Sequence, residues 1–172
     1  MIKKLNPVAR LDELPLEPFE QGEHYRSLDA DISDRVGLTQ IGAALCIVPP
    51  GKSACPFHNH HAEDEMFVIL EGEGIYRFGP DSYAVQAGDV LGAPRGGPGH
   101  AHKLTNTGSV PLKYVAISSK ADTEICEYPD SGKFLATTRL PGKRERMFRY
   151  VGRQESEVDY WEGGNLRRLG CA

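Results

Sequence analysis

The sequence predicts an all-β domain, and three observations support that prediction. From Leu38 onward, short β-rich runs such as 65–70 and 112–118 alternate with Gly, Pro, Asp or Asn, a spacing typical of a sandwich or barrel. The 19 glycines and 12 prolines indicate many turns rather than long helices. Hydrophobic residues make up 40% of the 172 residues and charged residues 26%, which suits one globular core.

The chain divides into three segments of one domain. Residues 1–37 predict an irregular N-terminal arm that covers one sheet edge, because prolines, Gly22 and acidic residues interrupt its short apolar pairs. Residues 38–120 predict the barrel core. Residues 121–172 predict a C-terminal extension in which the periodicity weakens and two short strand candidates, 148–151 and 158–161, remain.

The central run 65–72 predicts a strand with two buried faces, because apolar residues occupy both parities of it. Directly after it, the sequence Glu71-Gly72-Glu73-Gly74 separates two apolar runs. Glycine readily adopts the positive φ that tight turns between strands require. The segment 71–74 therefore predicts a hairpin.

Charge and hydropathy exclude two classes of partner. The net charge is −4 and basic residues form no large cluster, so we expect no nucleic-acid partner. No window approaches the ~20 apolar residues of a membrane span, and the charged, proline-containing start of the chain does not resemble a signal peptide. We therefore expect a cytoplasmic protein with no membrane partner, whose partner is a small-molecule ligand or substrate.

The spacing of the four cysteines predicts free thiols rather than a zinc ribbon. Cys46, Cys55, Cys126 and Cys171 lie far apart and form no CxxC pair. Cys55 lies three residues before His58, where a redox-sensitive thiol is one interpretation. We favour the other interpretation, that Cys55 is a packing thiol.

The segment around His58 carries the clearest chemical signal. On an extended segment, His58 and His60 project to the same side, and Glu65 can join them as the chain enters the next strand. Imidazole nitrogens with one carboxylate suit Zn, Mn, Fe, Ni or Cu and leave coordination positions open. A third imidazole can come from a later strand, where His100 and His102 are rival candidates of the same parity.

Two motifs resemble those of the cupin superfamily. The first motif aligns with Gly51, His58, His60, Glu65 and Gly72, and the second with Gly88, Pro94, Gly96, His102 and Asn106. Six residues rather than five separate Gly51 from His58, and five rather than two separate Gly96 from His102. Because the three-residue step from His102 to Asn106 is kept, the resemblance favours His102 over His100.

The resemblance implies a cupin double-stranded β-helix, a jelly-roll-like barrel with one divalent metal ion (Zn, Mn, Fe or Ni) inside. The implied metal ligands are His58, His60, Glu65 and His102. His100 and Glu63 are the candidate catalytic residues, as bases that would move a proton near the metal. His61 is a further candidate to face the substrate, although it and Glu63 also suit an exposed loop.

The function that the resemblance implies remains open among three classes. The first is a metal-dependent enzyme on a small oxygenated substrate, similar to the sugar-phosphate-isomerase-like cupins. The alternatives are a non-catalytic module that binds a sugar or other small molecule, and an iron-dependent dioxygenase. A basic run at Lys143, Arg144, Arg146 and Arg149 could bind a phosphate, although a solvated basic face is the simpler interpretation.

We also expect a homodimer. The runs 147–151 and 158–161 carry aromatic and apolar residues near the end of the chain. Small barrels often cover such apolar edges by pairing with a second copy.

Overall fold

Short strands dominate the chain, as the alternation of apolar runs and turn residues predicts. The computed structural model describes residues 5–139 and 146–164, which contain thirteen strands. The strands are β1 (Glu17–Gln21), β2 (Tyr25–Asp31), β3 (Ile41–Val48), β4 (Asn59–His60), β5 (Glu65–Glu71), β6 (Glu73–Phe78), β7 (Asp81–Gln86), β8 (Val90–Ala93), β9 (His102–Asn106), β10 (Leu112–Ser119), β11 (Thr123–Tyr128), β12 (Lys133–Arg139) and β13 (Arg146–Arg153). The helical part consists of α1 (Ser33–Val36) and short 3-10 turns at Leu11–Glu13, Pro98–His100, Pro129–Ser131 and Gln154–Ser156.

The strands form three antiparallel sheets. The largest has the order β1-β2-β3-β10-β5-β8, and the smaller ones have the orders β13-β12-β11-β4 and β7-β6-β9. An antiparallel bridge between His58 and His102 connects the two smaller sheets. The all-β prediction is confirmed. No helix in the two described segments is long and apolar enough to cross a membrane.

The main core lies between the six-stranded and the three-stranded sheet. Its buried side chains come from alternate positions, such as Phe67 and Ile69 on β5 and Leu104 on β9. Burying a side chain of this size contributes about 1.5–3 kcal/mol. The same parity points Glu65 on β5 and His102 on β9 inward, so the core strands also position two of the predicted ligands.

The prediction of an irregular N-terminal arm is wrong for residues 17–31. They form β1 and β2, which extend the six-stranded sheet beyond β3. Pro18 obscured this in the sequence, because proline usually argues against a strand. It is tolerated here because β1 is the edge of the sheet, where a missing N–H interrupts no ladder.

The C-terminal extension contains more regular structure than its sequence predicts. The weakly periodic stretch after Ser119 forms β11 and β12, and the candidate at 148–151 lies in β13. The strand predicted at 158–161 is absent: its backbone is irregular, and Tyr160 and Trp161 are exposed. The homodimer stays a prediction, for which the exposed Met147 and Phe148 on the edge strand β13 are the relevant surface.

The predicted hairpin at 71–74 is wrong, although its turn exists. β5 pairs with β8 and β10, whereas β6 pairs with β7 and β9, so the turn carries the chain from one sheet into another. Gly72 has φ +82°, and a Cβ placed there would lie 2.6 Å from the Pro111 carbonyl oxygen. Position 72 therefore requires glycine for two reasons: the backbone there is left-handed, and the backbone of Pro111 lies too close to leave room for a Cβ atom.

We expect Gly72→Ala to destabilise the fold by about 3 kcal/mol or more. A left-handed backbone costs a residue with a Cβ about 1–2 kcal/mol, and the contact with Pro111 adds strain because neither backbone can move freely. Gly51→Ala is the matched control, because Gly51 has φ +74° with no atom within 4 Å of its Cβ position. Urea unfolding of both variants should show the larger loss for Gly72; equal losses would mean that the close approach carries no cost.

Candidate metal centre

Two backbone hydrogen bonds place His58 opposite His102. The His58 N–H donates to the His102 carbonyl at 3.1 Å, and the His102 N–H donates to the His58 carbonyl at 2.7 Å. Residues that exchange bonds in this way lie directly opposite each other with their side chains on one face. The ring centroids of the two histidines are 4.5 Å apart. The bridge that joins the two smaller sheets is therefore also the base of the site.

Three imidazoles converge on a single oxygen of Glu65. The Glu65 Oε2 atom lies 2.9 Å from His102 Nε2, 3.3 Å from His60 Nε2 and 3.7 Å from His58 Nε2. These side chains are largely buried, from 3% exposed for His102 to 18% for Glu65. The structure thus brings together all four residues that the sequence motifs single out as metal ligands.

The buried cluster shifts the pKa values of its members. Burial raises the pKa of Glu65, but contacts with His102, His58 and His60 outweigh it and hold the pKa far below its usual value. Burial lowers the pKa of His58, whereas Cys55 and Glu65 beside it raise the pKa to about 11. Burial, together with the neighbouring His58, lowers the pKa of His102, although Glu65 acts in the opposite direction. A metal ion would bind an ionised carboxylate and neutral imidazoles, so its binding is coupled to the release of protons.

The donor set fits a divalent metal ion. Both ring nitrogens of His60 are buried and have no hydrogen-bond partner within the described segments, an arrangement that costs free energy unless something binds there. His58 Nδ1 lies 2.8 Å from the Pro56 carbonyl, a contact that orients the ring and directs Nε2 toward Glu65. His58, Glu65 and His102 each offer a ligand atom within 4.8 Å of the other two. Three imidazoles and one carboxylate would hold Zn, Mn, Fe or Ni.

The candidate catalytic residues lie around this cluster at different places. Glu63 is partly buried, its Oε1 accepts a hydrogen bond from the Ala121 N–H at 2.9 Å, and a carboxylate oxygen lies within 4.8 Å of a ring nitrogen of His60. Burial, together with Glu124, raises its pKa even though the Ala121 N–H lowers it. His100 is exposed on the turn Pro98–His100, with its ring 5.9 Å from that of Phe78.

The strand β11 supplies residues that the sequence motifs do not reveal. Glu124, Cys126 and Tyr128 alternate on one face of β11, and that face meets the histidines. The Tyr128 ring stacks 6.2 Å from that of His58, and the Glu124 carboxylate accepts the N–H of His61 at 2.9 Å. The side chain of His61 lies elsewhere, 3.2 Å from Glu127 on the opposite face. Only the short-range alternation along 123–128 could have indicated these residues.

The basic run considered as a phosphate site falls partly outside the described residues. Lys143 and Arg144 lie in the segment 140–145, and the side chain of Arg146 is likewise outside the description. Arg149 is described. It pairs with Thr137, which pairs in turn with Glu124, so it shares the sheet face that carries Cys126 and Tyr128.

Comparisons with known proteins agree with this architecture. Residues 44–118 match the cupin domain family. An uncharacterized protein of Methanocaldococcus jannaschii is 38% identical over 88 residues, which are 49% of this chain and 67% of that protein. An oxalate-binding protein of Thermotoga maritima is 34% identical over 70 residues, 41% of this chain and 54% of that protein, so the match spans about half of that relative.

A solved structure extends the likeness to most of the chain. The structure of an inferred sugar phosphate isomerase from Acidithiobacillus ferrooxidans superposes with a TM-score of 0.72 at 25% identity, covering 87% of this chain and 91% of that one. The predicted double-stranded β-helix is confirmed by this and other solved cupin structures. Together, the matched domain, the relatives and the fold show that the chain belongs to the cupin family.

Proposed function

We propose that this protein binds one divalent metal ion through His58, His60, Glu65 and His102 and isomerises a small sugar phosphate. The observation that carries the proposal is the convergence of three buried imidazoles on one oxygen of Glu65. The likeness over 87% of the chain to an inferred sugar phosphate isomerase supports the reaction class. A bound divalent ion would supply Lewis-acid polarisation of a carbonyl or hydroxyl oxygen of the substrate.

Glu63 is the residue we assign to proton transfer. Isomerisation of a sugar moves a proton between adjacent carbons, which requires a base that can both accept and return it. Burial of the Glu63 side chain raises its pKa toward the range in which a carboxylate serves as both acid and base. The Ala121 N–H holds one carboxylate oxygen and leaves the other for the substrate. His100 is the rival base, although its ring packs against Phe78 in an exposed turn.

Arg149 is the residue we assign to the phosphate group. It lies on the sheet face that bears Tyr128, whose ring stacks 6.2 Å from that of His58. An arginine fork binds phosphate oxygens in a bidentate manner. A phosphate group bound there would direct the sugar carbons of the substrate toward the histidines.

We expect the metal-loaded protein to interconvert an aldose phosphate and a ketose phosphate in D₂O with deuterium incorporated from solvent, as followed by NMR over a panel of sugar phosphates. Glu63→Gln should lower kcat by about 100-fold, the scale of lost general-base catalysis. Arg149→Met should raise KM about tenfold or more with kcat little changed, because the phosphate is bound equally in ground and transition states.

Two controls make this assay decisive. Arg26→Met removes an arginine of β2 in the six-stranded sheet, whose guanidinium pairs with Glu20, and should leave KM unchanged. His100→Gln should leave kcat within about twofold if Glu63 is the base. Absence of turnover and of deuterium exchange across the panel, with the metal bound, would contradict the isomerase assignment.

A second candidate function is non-catalytic binding of a small dicarboxylate. The relative that favours it is the oxalate-binding protein of Thermotoga maritima, 34% identical over 70 residues. Oxalate would bind through its carboxylate oxygens and would not require the Glu63 carboxylate as a base. Calorimetric titration separates the two functions: tight oxalate binding without turnover of any sugar phosphate favours the binding module.

A further inference from the structure

The backbone places Cys126 beside the predicted metal ligands. In the antiparallel pairing of β11 with β4, Cys126 lies directly opposite His60. Side chains directly opposite each other share one face of the sheet, with Cβ atoms about 4.5–5.5 Å apart. The position of the thiol relative to His60 therefore follows from strand register and does not depend on a side-chain rotamer alone.

The sulfur lies within reach of an ion held by the two neighbouring histidines. The Cys126 Sγ atom, a ring nitrogen of His58 and a ring nitrogen of His60 all lie within 4.8 Å of one another. Donors bound side by side to one metal ion, with bonds of about 2.0–2.3 Å, are about 3–3.6 Å apart. The 4.8 Å limit exceeds this range by about 1–2 Å, a difference that small side-chain movements would close.

Two further features favour a ligand at this place. Cys126 is 4% exposed, so its sulfur is shielded from bulk water. The ring nitrogens of His60 are buried without a hydrogen-bond partner in the described part of the chain, although they lie between Glu65 on one side and the β11 face on the other. A metal ion bound to one of these nitrogens would supply the partner that this nitrogen lacks.

We propose that Cys126 is a direct thiolate ligand of the metal ion, together with His58 and His60. The inference rests on the metal site proposed above and extends it by a sulfur donor. As the metal–sulfur bond forms, the thiol releases its proton to solvent, and no oxidation takes place. A thiolate donor favours Zn²⁺, Fe²⁺ or Co²⁺ over Mg²⁺ or Mn²⁺.

Cys46 is the matched comparison, because it is a buried thiol of the same domain without these neighbours. It is 8% exposed in the core of the six-stranded sheet, and it belongs to none of the candidate ligand groups found among the described residues. Cys55 is the rival donor, because its side chain contacts that of His58. Substituting each cysteine separately distinguishes the three thiols.

The test is titration of the metal-free full-length protein with Co²⁺, followed by absorption spectroscopy. The wild type should bind about one equivalent and develop a near-ultraviolet thiolate-to-cobalt charge-transfer band. Cys126→Ser should lose the band completely and bind cobalt about tenfold more weakly or worse, whereas Cys46→Ser and Cys55→Ser should keep the band. Circular dichroism checks that each variant is folded.

The wild type alone provides a second measurement, which does not depend on the folding of a variant. X-ray absorption at the zinc edge should show a sulfur scatterer at about 2.3 Å besides nitrogen and oxygen at about 2.0–2.1 Å. Bound metal with no sulfur scatterer, or a band lost only in Cys55→Ser, overturns the role of Cys126 and leaves the histidine site intact. A wild type that binds no metal overturns both proposals.

Discussion

Replacing His58 and His102 together by alanine is expected to abolish metal binding. The purified wild type should carry about one equivalent of a divalent transition metal, and the double variant less than about a tenth of that. The reason is that the two histidines form the backbone bridge at the base of the site, and both ring Nε2 atoms approach Glu65 Oε2. Removing two of the three imidazoles leaves too few donors to hold the ion tightly. Elemental analysis of untagged protein, prepared without chelator, measures the difference.

A second double variant is the matched control. His61→Ala/His100→Ala removes the same number of imidazoles from neighbouring positions, one paired with Glu127 and one packed against Phe78. It should retain the metal. Loss of metal in this control would indicate that His100, rather than His102, is the third histidine ligand. A wild type without metal even after soaking would contradict the site as a whole.

The two motifs could be recognised in the sequence despite their longer internal spacings, because the additional residues lie in loops. The five residues between Gly96 and His102 contain the turn Pro98–His100, which bulges outward while the chain re-enters β9 at His102. The Gly96 N–H donates to the His60 carbonyl at 2.7 Å, so the start of this loop stays anchored beside the site. Because β9 runs from His102 to Asn106, the step that the motif keeps lies within one strand, and this strand places His102 beside Glu65.

The contribution of β11 could not be predicted, because it depends on pairing between distant parts of the chain. His60 and Cys126 are 66 positions apart and meet only through the register of β4 and β11. β4 consists of two residues, so no periodicity marks it as a strand. The same limit applies to β1 and β2, where the pairing at the edge of the large sheet outweighs the local proline signal.

Asn106 illustrates how a motif residue can serve the fold rather than the metal. It is fully buried at the end of β9. Its amide Nδ2 donates to the Val48 and Val110 carbonyls, both at 2.8 Å, and its Oδ1 accepts the Gly108 N–H at 2.9 Å. One side chain thereby holds β3, β9 and the following turn together. Such a position keeps the strand that carries His102 in register.

We expect Asn106→Asp to lower the free energy of unfolding by about 4 kcal/mol at neutral pH. Aspartate has nearly the shape of asparagine, so no cavity forms, but it loses the donor that satisfies the buried Val48 carbonyl and the partly buried Val110 carbonyl. Each buried acceptor left without a partner costs about 1–3 kcal/mol, and the buried negative charge adds to this. Urea unfolding measures the loss, and Asn6→Asp, at an exposed position whose Oδ1 acceptor is retained, should change stability by less than about 0.5 kcal/mol.

The pH dependence of the same variant separates lost hydrogen bonds from buried charge. Burial opposite two carbonyls favours the neutral carboxylic acid, so the pKa of the new side chain is higher in the folded than in the unfolded state. Above the unfolded value of about 3.9, the folded state then binds more protons, and stability falls as pH rises. The gap between Asn106→Asp and the wild type should therefore be smaller at pH 4.5 than at pH 7. A gap independent of pH would mean that the side chain turns out to solvent, and that the Asn106 hydrogen bonds do not hold the strand.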